Sequence, residues 1–238
     1  MPHAPLGILM LNTQFPRIPG DVGNPDSYDF PILTRVVRGA TVQRVVFEAD
    51  PTLIDEFIHG AQELEAVGVW GITSTCGFLT PLQAEVAQSV RVPVFLSSLL
   101  QVPLAQAATQ GRIGILTANA HSLTEEVLQA AGISRDAPLA VRGLQDEPAF
   151  RDPILHNGNS LRRDDIERAA VRLAEDILHE HADVSAFVLE CHNLAPYAAA
   201  VCRATGKPVY DIIDFAHWMH ATVHKRSFAA QPEPRERG

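Results

Sequence analysis

The chain has 238 residues, 46% of them hydrophobic and 20% charged, with a formal net charge of −9 from 19 Lys plus Arg against 28 Asp plus Glu. Such a composition can bury a core without metal or disulfide staples, and an acidic chain with no basic stripe argues against a nucleic-acid partner. Three cysteines without close spacing argue against a disulfide framework, no run approaches the ~18 apolar residues of a membrane span, and the apolar run over residues 5–11 lacks the flanks of a secretory signal, so a cytoplasmic location away from membranes is expected.

In chain order, the first strand is expected over LGILMLN, residues 6–12, ending in the polar turn Asn12-Thr13-Gln14. A long Pro-, Gly- and Asp-rich loop follows over residues 15–31, of a length that usually marks function or disorder. Asp50-Pro51 reads as an N-cap with proline at the first helical position, and Ile54, Phe57, Ile58, Ala61 and Leu64 then make one apolar stripe. The apolar run 67–72 leads into TSTCGFLTP, residues 73–81. Ser122-Leu123-Thr124-Glu125 reads as a capping box opening a helix through about Ala131. Residues 145–160 look irregular and are expected to border a cleft between lobes. Asp164 or Asp165 opens a helix with Ile166, Ala169, Ala170, Leu173 and Ile177 on one face. A last helix over about 214–225 is expected to pack back on the first lobe, and the Pro- and charge-rich residues 229–238 are expected to fray.

The chain is written twice. Gly7-Ile8-Leu9 and Asn12 recur as Gly114-Ile115-Leu116 and Asn119, an offset of 107 (114 − 7). Setting Cys76 on Cys191, an offset of 115 (191 − 76), brings Leu79 onto Leu194, Pro81 onto Pro196, Val86 onto Val201 and Val94 onto Val209. Strands alternating with amphipathic helices imply parallel sheets, and the repeat implies two similar α/β lobes related by a pseudo-twofold axis. The lobes are expected over residues 1–100 plus 214–238, and over 101–213.

In open parallel sheets the ligand cleft lies at the carboxyl ends of the strands, where Cys76 and Cys191 both fall. A helix start after each thiol favours the thiolate. Two thiols facing one ligand from opposite sides suit inversion of a stereocentre, one removing a proton and the other returning it. A free cysteine is often simply buried, and it is the matched pair that favours chemistry here. Cys202 aligns with Ala87 and is expected to be structural.

The pair TSTCGFLTP and LECHNLAP, on lobes opened by GILMLN and GILTAN, resembles the cofactor-independent aspartate/glutamate racemase superfamily over roughly residues 5–220. That superfamily also holds hydantoin racemases, maleate isomerases and arylmalonate decarboxylases. The resemblance implies two flavodoxin-like lobes, an active site in the cleft between them, no cofactor, and Cys76 and Cys191 as the acid/base pair. The chain departs from the amino-acid racemases at Gly77-Phe78, where they usually carry Asn-Thr, and at His192-Asn193, where the second cysteine is commonly followed by Thr. Its opening Asn12-Thr13-Gln14 resembles the Asn-rich loop of hydantoin racemases.

Around the thiols, Asn12, Thr13 and Gln14 are candidate holders of a substrate carboxylate, mirrored by Thr117 and Asn119. Thr75, with Thr73 and Ser74, offers hydroxyls to an enolate-like oxyanion. Gly77 and Asn193 flank the thiols. His192 could tune Cys191, and Arg17 could pair with a second carboxylate. His217, His220 and His224 share a helix face, but no HExxH pattern or carboxylate cluster accompanies them, and no metal is expected. The sequence therefore reads as a cofactor-independent racemase or epimerase acting at a carbon α to a carboxylate or amide carbonyl, on an amino acid or hydantoin-like substrate. The alternatives are a maleate-type isomerase with a nucleophilic thiol, a decarboxylase with one proton-donating thiol, and a small-acid binding protein without turnover. Homo-oligomerisation is left open.

Overall fold

Strands and helices alternate to form two parallel sheets in the computed structural model, which describes residues 4–225. The first sheet is built from β1 (Leu6–Met10), β2 (Ile32–Val36) and β3 (Gly71–Ser74), in the order β2-β1-β3, with α1 (Ile54–Ala66) before β3 and α2 (Gln83–Gln88) after it. The second follows α3 (Val102–Thr109) and comprises β4 (Arg112–Thr117), β5 (Leu139–Gly143), β6 (Val184–Leu189) and β7 (Val209–Tyr210), in the order β5-β4-β6-β7. Its helices are α4 (Glu125–Ala130), the single turn α5 (Pro148–Phe150), α6 (Arg163–Glu180) and α7 (Ala198–Thr205), and α8 (Ile212–Val223) ends the described chain.

The repeat keeps its register in three dimensions. A six-residue 3-10 turn follows each cysteine, Gly77–Leu82 and His192–Tyr197, and α2 and α7 start 115 residues apart (198 − 83). The parallel bridge Ile72–Val94 in the first lobe has its counterpart in the pair Phe187–Val209 in the second, again 115 apart on both strands. Each lobe therefore places a cysteine just beyond the carboxyl end of a strand next to the central one, β3 beside β1 and β6 beside β4.

The helices follow the apolar stripes. Phe57, Ala61 and Leu64 of α1 are buried, with Ile54 and Ile58 packed partly against them, and α6 buries Ile166, Ala169, Ala170, Leu173 and Ile177. Each fully buried side chain of this size contributes roughly 1.5–3 kcal/mol. Asp50 caps as expected, accepting from the Thr52 N–H at 2.9 Å, but the first turn is 3-10 and α1 proper begins at Ile54. The N-cap of α4 is Thr124 rather than Ser122, its hydroxyl accepting from the Val127 N–H, because Ser122 is taken up by a preceding 3-10 turn. Asp211 caps α8, and Ile212, Phe215 and Ala216 pack with Leu6, Ile8, Trp70 and Phe95 of the first lobe.

Two stretches that lack periodicity are ordered. Residues 145–160 contain α5 and a π-type turn over Arg151–Leu155, and bury Phe150, Ile154 and Leu155. The loop 15–31 is tied to itself by Ser27 Oγ donating to the Asp21 carbonyl (2.7 Å), Asn24 Nδ2 to the Arg17 carbonyl (2.7 Å) and Tyr28 OH to the Val22 carbonyl (2.8 Å). Cys202 is exposed on α7, so its apolar alignment with Ala87 does not make it a core residue. No helix among the described residues is long and apolar enough to cross a membrane, and residues 229–238 lie outside those described.

Candidate active site

One continuous buried cluster runs between the lobes and includes both Cys76 and Cys191. The two thiols line a single small cavity, together with Thr13, Phe15, Arg17, Thr75, Gly77, Phe78, Glu190 and Asn193. Each cysteine is extended (φ −146°, ψ 122° at Cys76; φ −73°, ψ 116° at Cys191) and precedes a 3-10 turn, with its carbonyl accepting from the N–H of Leu79 or Leu194. The turn's backbone N–H groups, from Phe78 and Asn193, do pull the thiol pKa values down. Burial and the Glu190 carboxylate outweigh them, so both thiols are held well above the ordinary thiol range and rest protonated. The pull of the turn toward the thiolate is present in both lobes but is outweighed.

A polar relay spans the cavity wall. The Cys191 thiol points at Asn193 Oδ1 (3.8 Å), and Asn193 Nδ2 donates to Asp21 Oδ2 (2.8 Å). Asp21 Oδ1 accepts from Arg17 Nη1 (3.0 Å) and from the Gly23 N–H (2.8 Å), and Arg17 Nη2 donates to Thr13 Oγ1 (2.9 Å). The guanidinium also lies over the Phe15 ring, 4.5 Å from its centroid. Arg17 and Asp21 belong to the long proline-rich loop, which is how that segment reaches the site.

Of the residues singled out from sequence, Thr13, Arg17, Thr75, Cys76, Gly77, Cys191 and Asn193 come together at the cavity. The others lie outside its lining. Asn12 is exposed, and Gln14 is bound to Asn157 through both its backbone N–H and its side chain. Asn119 caps the turn at Ala120–Ser122, and Thr117 Oγ1 donates to Glu190 Oε2 at 2.6 Å. Thr73 and Ser74 hydroxyls donate to the Phe95 and Leu96 carbonyls and so hold the strand edge. Thr75 Oγ1 accepts from the Leu11 N–H (3.0 Å) while lining the cavity.

His192 does not serve Cys191. Its ring bridges the lobes, with Nδ1–H donating to the Ser74 carbonyl (2.8 Å) and Nε2 accepting from the Ser98 N–H (3.3 Å). Burial pushes its pKa down to about 4, so the imidazole is neutral and cannot stabilise a thiolate as a cation.

The residue that sequence reasoning missed is Glu190. It is fully buried, its Oε2 accepts from Thr117, and Oε1 has no hydrogen-bond partner. Burial pushes its pKa up to about 7. The available signal was a carboxylate closing a strand of otherwise small and apolar residues, directly before a cysteine. Among the described residues no group of three or more His, Cys, Asp or Glu side chains could hold a metal ion.

The fold and chain have named relatives. No protein-family model matches the chain. By structure it is similar to arylmalonate decarboxylase (16% identity, 95% of this chain and 96% of that one, TM-score 0.60). It is similar also to allantoin racemase from Klebsiella pneumoniae (15%, 96% and 97%, TM-score 0.60) and to the Picrophilus torridus aspartate racemase (12%, 94% and 96%, TM-score 0.57). By sequence it is 35% identical over 219 residues to a dimethylsulfoniopropionate lyase of Durusdinium sp. clade D, covering 89% of this chain and 72% of that protein. It is 34% identical over 232 residues to dimethylsulfoniopropionate lyase 3 of Emiliania huxleyi (strain CCMP1516), covering 93% of this chain but only 60% of that relative's length. The chain belongs to the dimethylsulfoniopropionate lyase family and carries the two-lobe fold of the aspartate/glutamate racemase superfamily.

Proposed function

We propose that the protein is a lyase that removes the proton α to a carboxylate and expels a leaving group from the β carbon, with dimethylsulfoniopropionate as its substrate. The observation that carries the reading is the pair of thiols, Cys76 and Cys191, lining one cavity with the Arg17 guanidinium. Arg17 has five donors, of which its contacts to Asp21 and Thr13 use two, and the rest are free to hold the substrate carboxylate. The Thr75 hydroxyl stabilises the enolate that grows on that carboxylate.

The thiols rest protonated, so one must give its proton to solvent as the substrate enters before it can act as the base. A sulfonium entering a low-dielectric cavity favours the thiolate, and Arg17 acts in the same direction on Cys76. The thiolate takes the α proton. The C–H electron pair becomes the new double bond, and the β C–S bond breaks with its electrons leaving on dimethyl sulfide. The products are dimethyl sulfide and acrylate, with the proton left on the thiol.

A second reading, racemisation of an amino acid or hydantoin, is favoured by the matched position of the two thiols. It shares the first step and differs in returning a proton from the opposite face. Incubation in deuterated water separates the two. The lyase releases dimethyl sulfide and acrylate in equal amounts from dimethylsulfoniopropionate. A racemase instead puts deuterium at the α carbon of aspartate, glutamate or a substituted hydantoin with loss of optical activity, and that result without sulfide release overturns the lyase reading.

A further inference from the structure

Glu190 lines the same cavity and has no part in the steps above. Its side chain is fully buried; the Thr117 hydroxyl donates to Oε2 and the Ala118 N–H also supports the carboxylate. Oε1 has no partner, and an unpaired buried carboxylate oxygen is costly unless something charged or proton-donating meets it. The adjoining turn packs directly against that oxygen: a Cβ on Gly77 would stand 2.3 Å from Oε1, so only a residue without a side chain fits between the carboxylate and the first thiol's turn.

The surroundings narrow what could meet this oxygen. Asp21, the buried carboxylate bound to the lining residues Arg17 and Asn193 but not itself part of the lining, is already filled by them and by the Gly23 N–H. A primary ammonium would need three acceptors; the lining oxygens of Thr13 and Thr75 already accept from Arg17 and the Leu11 N–H, and much of the rest of the lining is apolar, Phe15, Phe78, Val42 and Ile154 among it. A cation wrapped in methyl groups needs only a negative charge and aromatic or apolar walls.

We infer that Glu190 is a specificity-determining residue whose buried carboxylate supplies the negative charge that favours the onium group, sulfonium or quaternary ammonium, of a short zwitterionic carboxylate, with Phe78 among the walls around it. The inference rests on the reading of this cavity as the substrate site and adds to it the residue that selects a cationic substrate.

Binding of an unreactive pair tests it without turnover. At pH 8, calorimetry on the full chain would compare 3-(trimethylammonio)propionate with its neutral carbon isostere, 4,4-dimethylpentanoate. The wild type is expected to bind the ammonium compound at least about tenfold more tightly. Glu190→Gln is expected to bring the two affinities together by weakening the ammonium compound, with no loss of affinity for the carbon isostere. Equal affinities in the wild type overturn the proposal, and that arm needs no variant to fold. A Glu190→Gln variant that keeps the preference, or that loses both ligands alike, also overturns it. The lyase reading fails separately: a wild type that prefers the ammonium compound yet releases no dimethyl sulfide sinks the reaction and leaves the selectivity standing.

Discussion

Gly77 lies directly against Glu190: a Cβ at residue 77 would stand 2.2 Å from the Glu190 carbonyl oxygen and 2.3 Å from its Oε1. The glycine that separates this chain from the Cys-Asn-Thr pattern of amino-acid racemases is therefore the space a buried carboxylate occupies. Gly77→Ala is expected to displace Glu190 and the Cys191 backbone beside it. Overpacking of this kind costs about 1–3 kcal/mol, and turnover should fall at least about tenfold. Thermal unfolding and kcat/KM measured on the same preparation check both parts.

The charge on Glu190 is held at the expense of stability. Its folded pKa of about 7 lies above the ordinary 4.5, so the folded state binds more protons between those values and stability falls as pH rises through that window. Below pH 4.5 the group is neutral in both states and costs nothing. Glu190→Gln removes the ionisation, so at pH 8 the variant is expected to be more stable than the wild type by about 3 kcal/mol, with no such gap at pH 4. Urea unfolding at the two pH values measures the gap, and an equal gap at both would contradict the assignment.

His192 has the opposite sign. Its folded pKa of about 4 lies below the ordinary 6.5, so the unfolded state takes up the proton first and stability is lost as pH falls from 6.5 toward 4. Glu190 and Asp211 titrate in both proteins when wild type is compared with His192→Gln, and their contributions cancel. The wild type is expected to lose about 2 kcal/mol more than the variant between pH 7 and pH 4.5. Urea titrations at those two values read the difference directly.

Asp21 ties the loop arginine to the second cysteine's turn through Arg17 and Asn193. Asp21→Asn keeps the shape but weakens the hold on the guanidinium. If Arg17 positions the substrate carboxylate, KM should rise about tenfold or more with a smaller change in kcat. Steady-state kinetics on dimethylsulfoniopropionate separates the two parameters.

The repeat was legible because each cysteine sits in a unit of fixed spacing, and Ile72–Val94 and Phe187–Val209 keep that spacing as strand pairs. Thr13 and Asn12 are neighbours at one strand end, yet only Thr13 reaches the cavity. Which side chain turns inward is set by the lobe that packs opposite, and that is not written locally. The pull of the turn on each thiol was read with the right sign from the Cys-to-turn pattern. The larger opposing effect came from burial and from Glu190, whose approach to Cys76 crosses the lobe boundary. His192 shows the same limit, since its partners Ser74 and Ser98 lie more than ninety residues away.

The most direct test of the thiol-dependent elimination is headspace measurement of dimethyl sulfide from dimethylsulfoniopropionate with the wild type, Cys76→Ala, Cys191→Ala and the double variant, each shown to be folded. The wild type is expected to release sulfide and acrylate in equal amounts. Loss of the thiol that acts as base should lower the rate by about 10²–10⁴-fold, and the double variant should do no worse than the more damaged single one. Sulfide release that persists at the wild-type rate in the double variant would contradict the account.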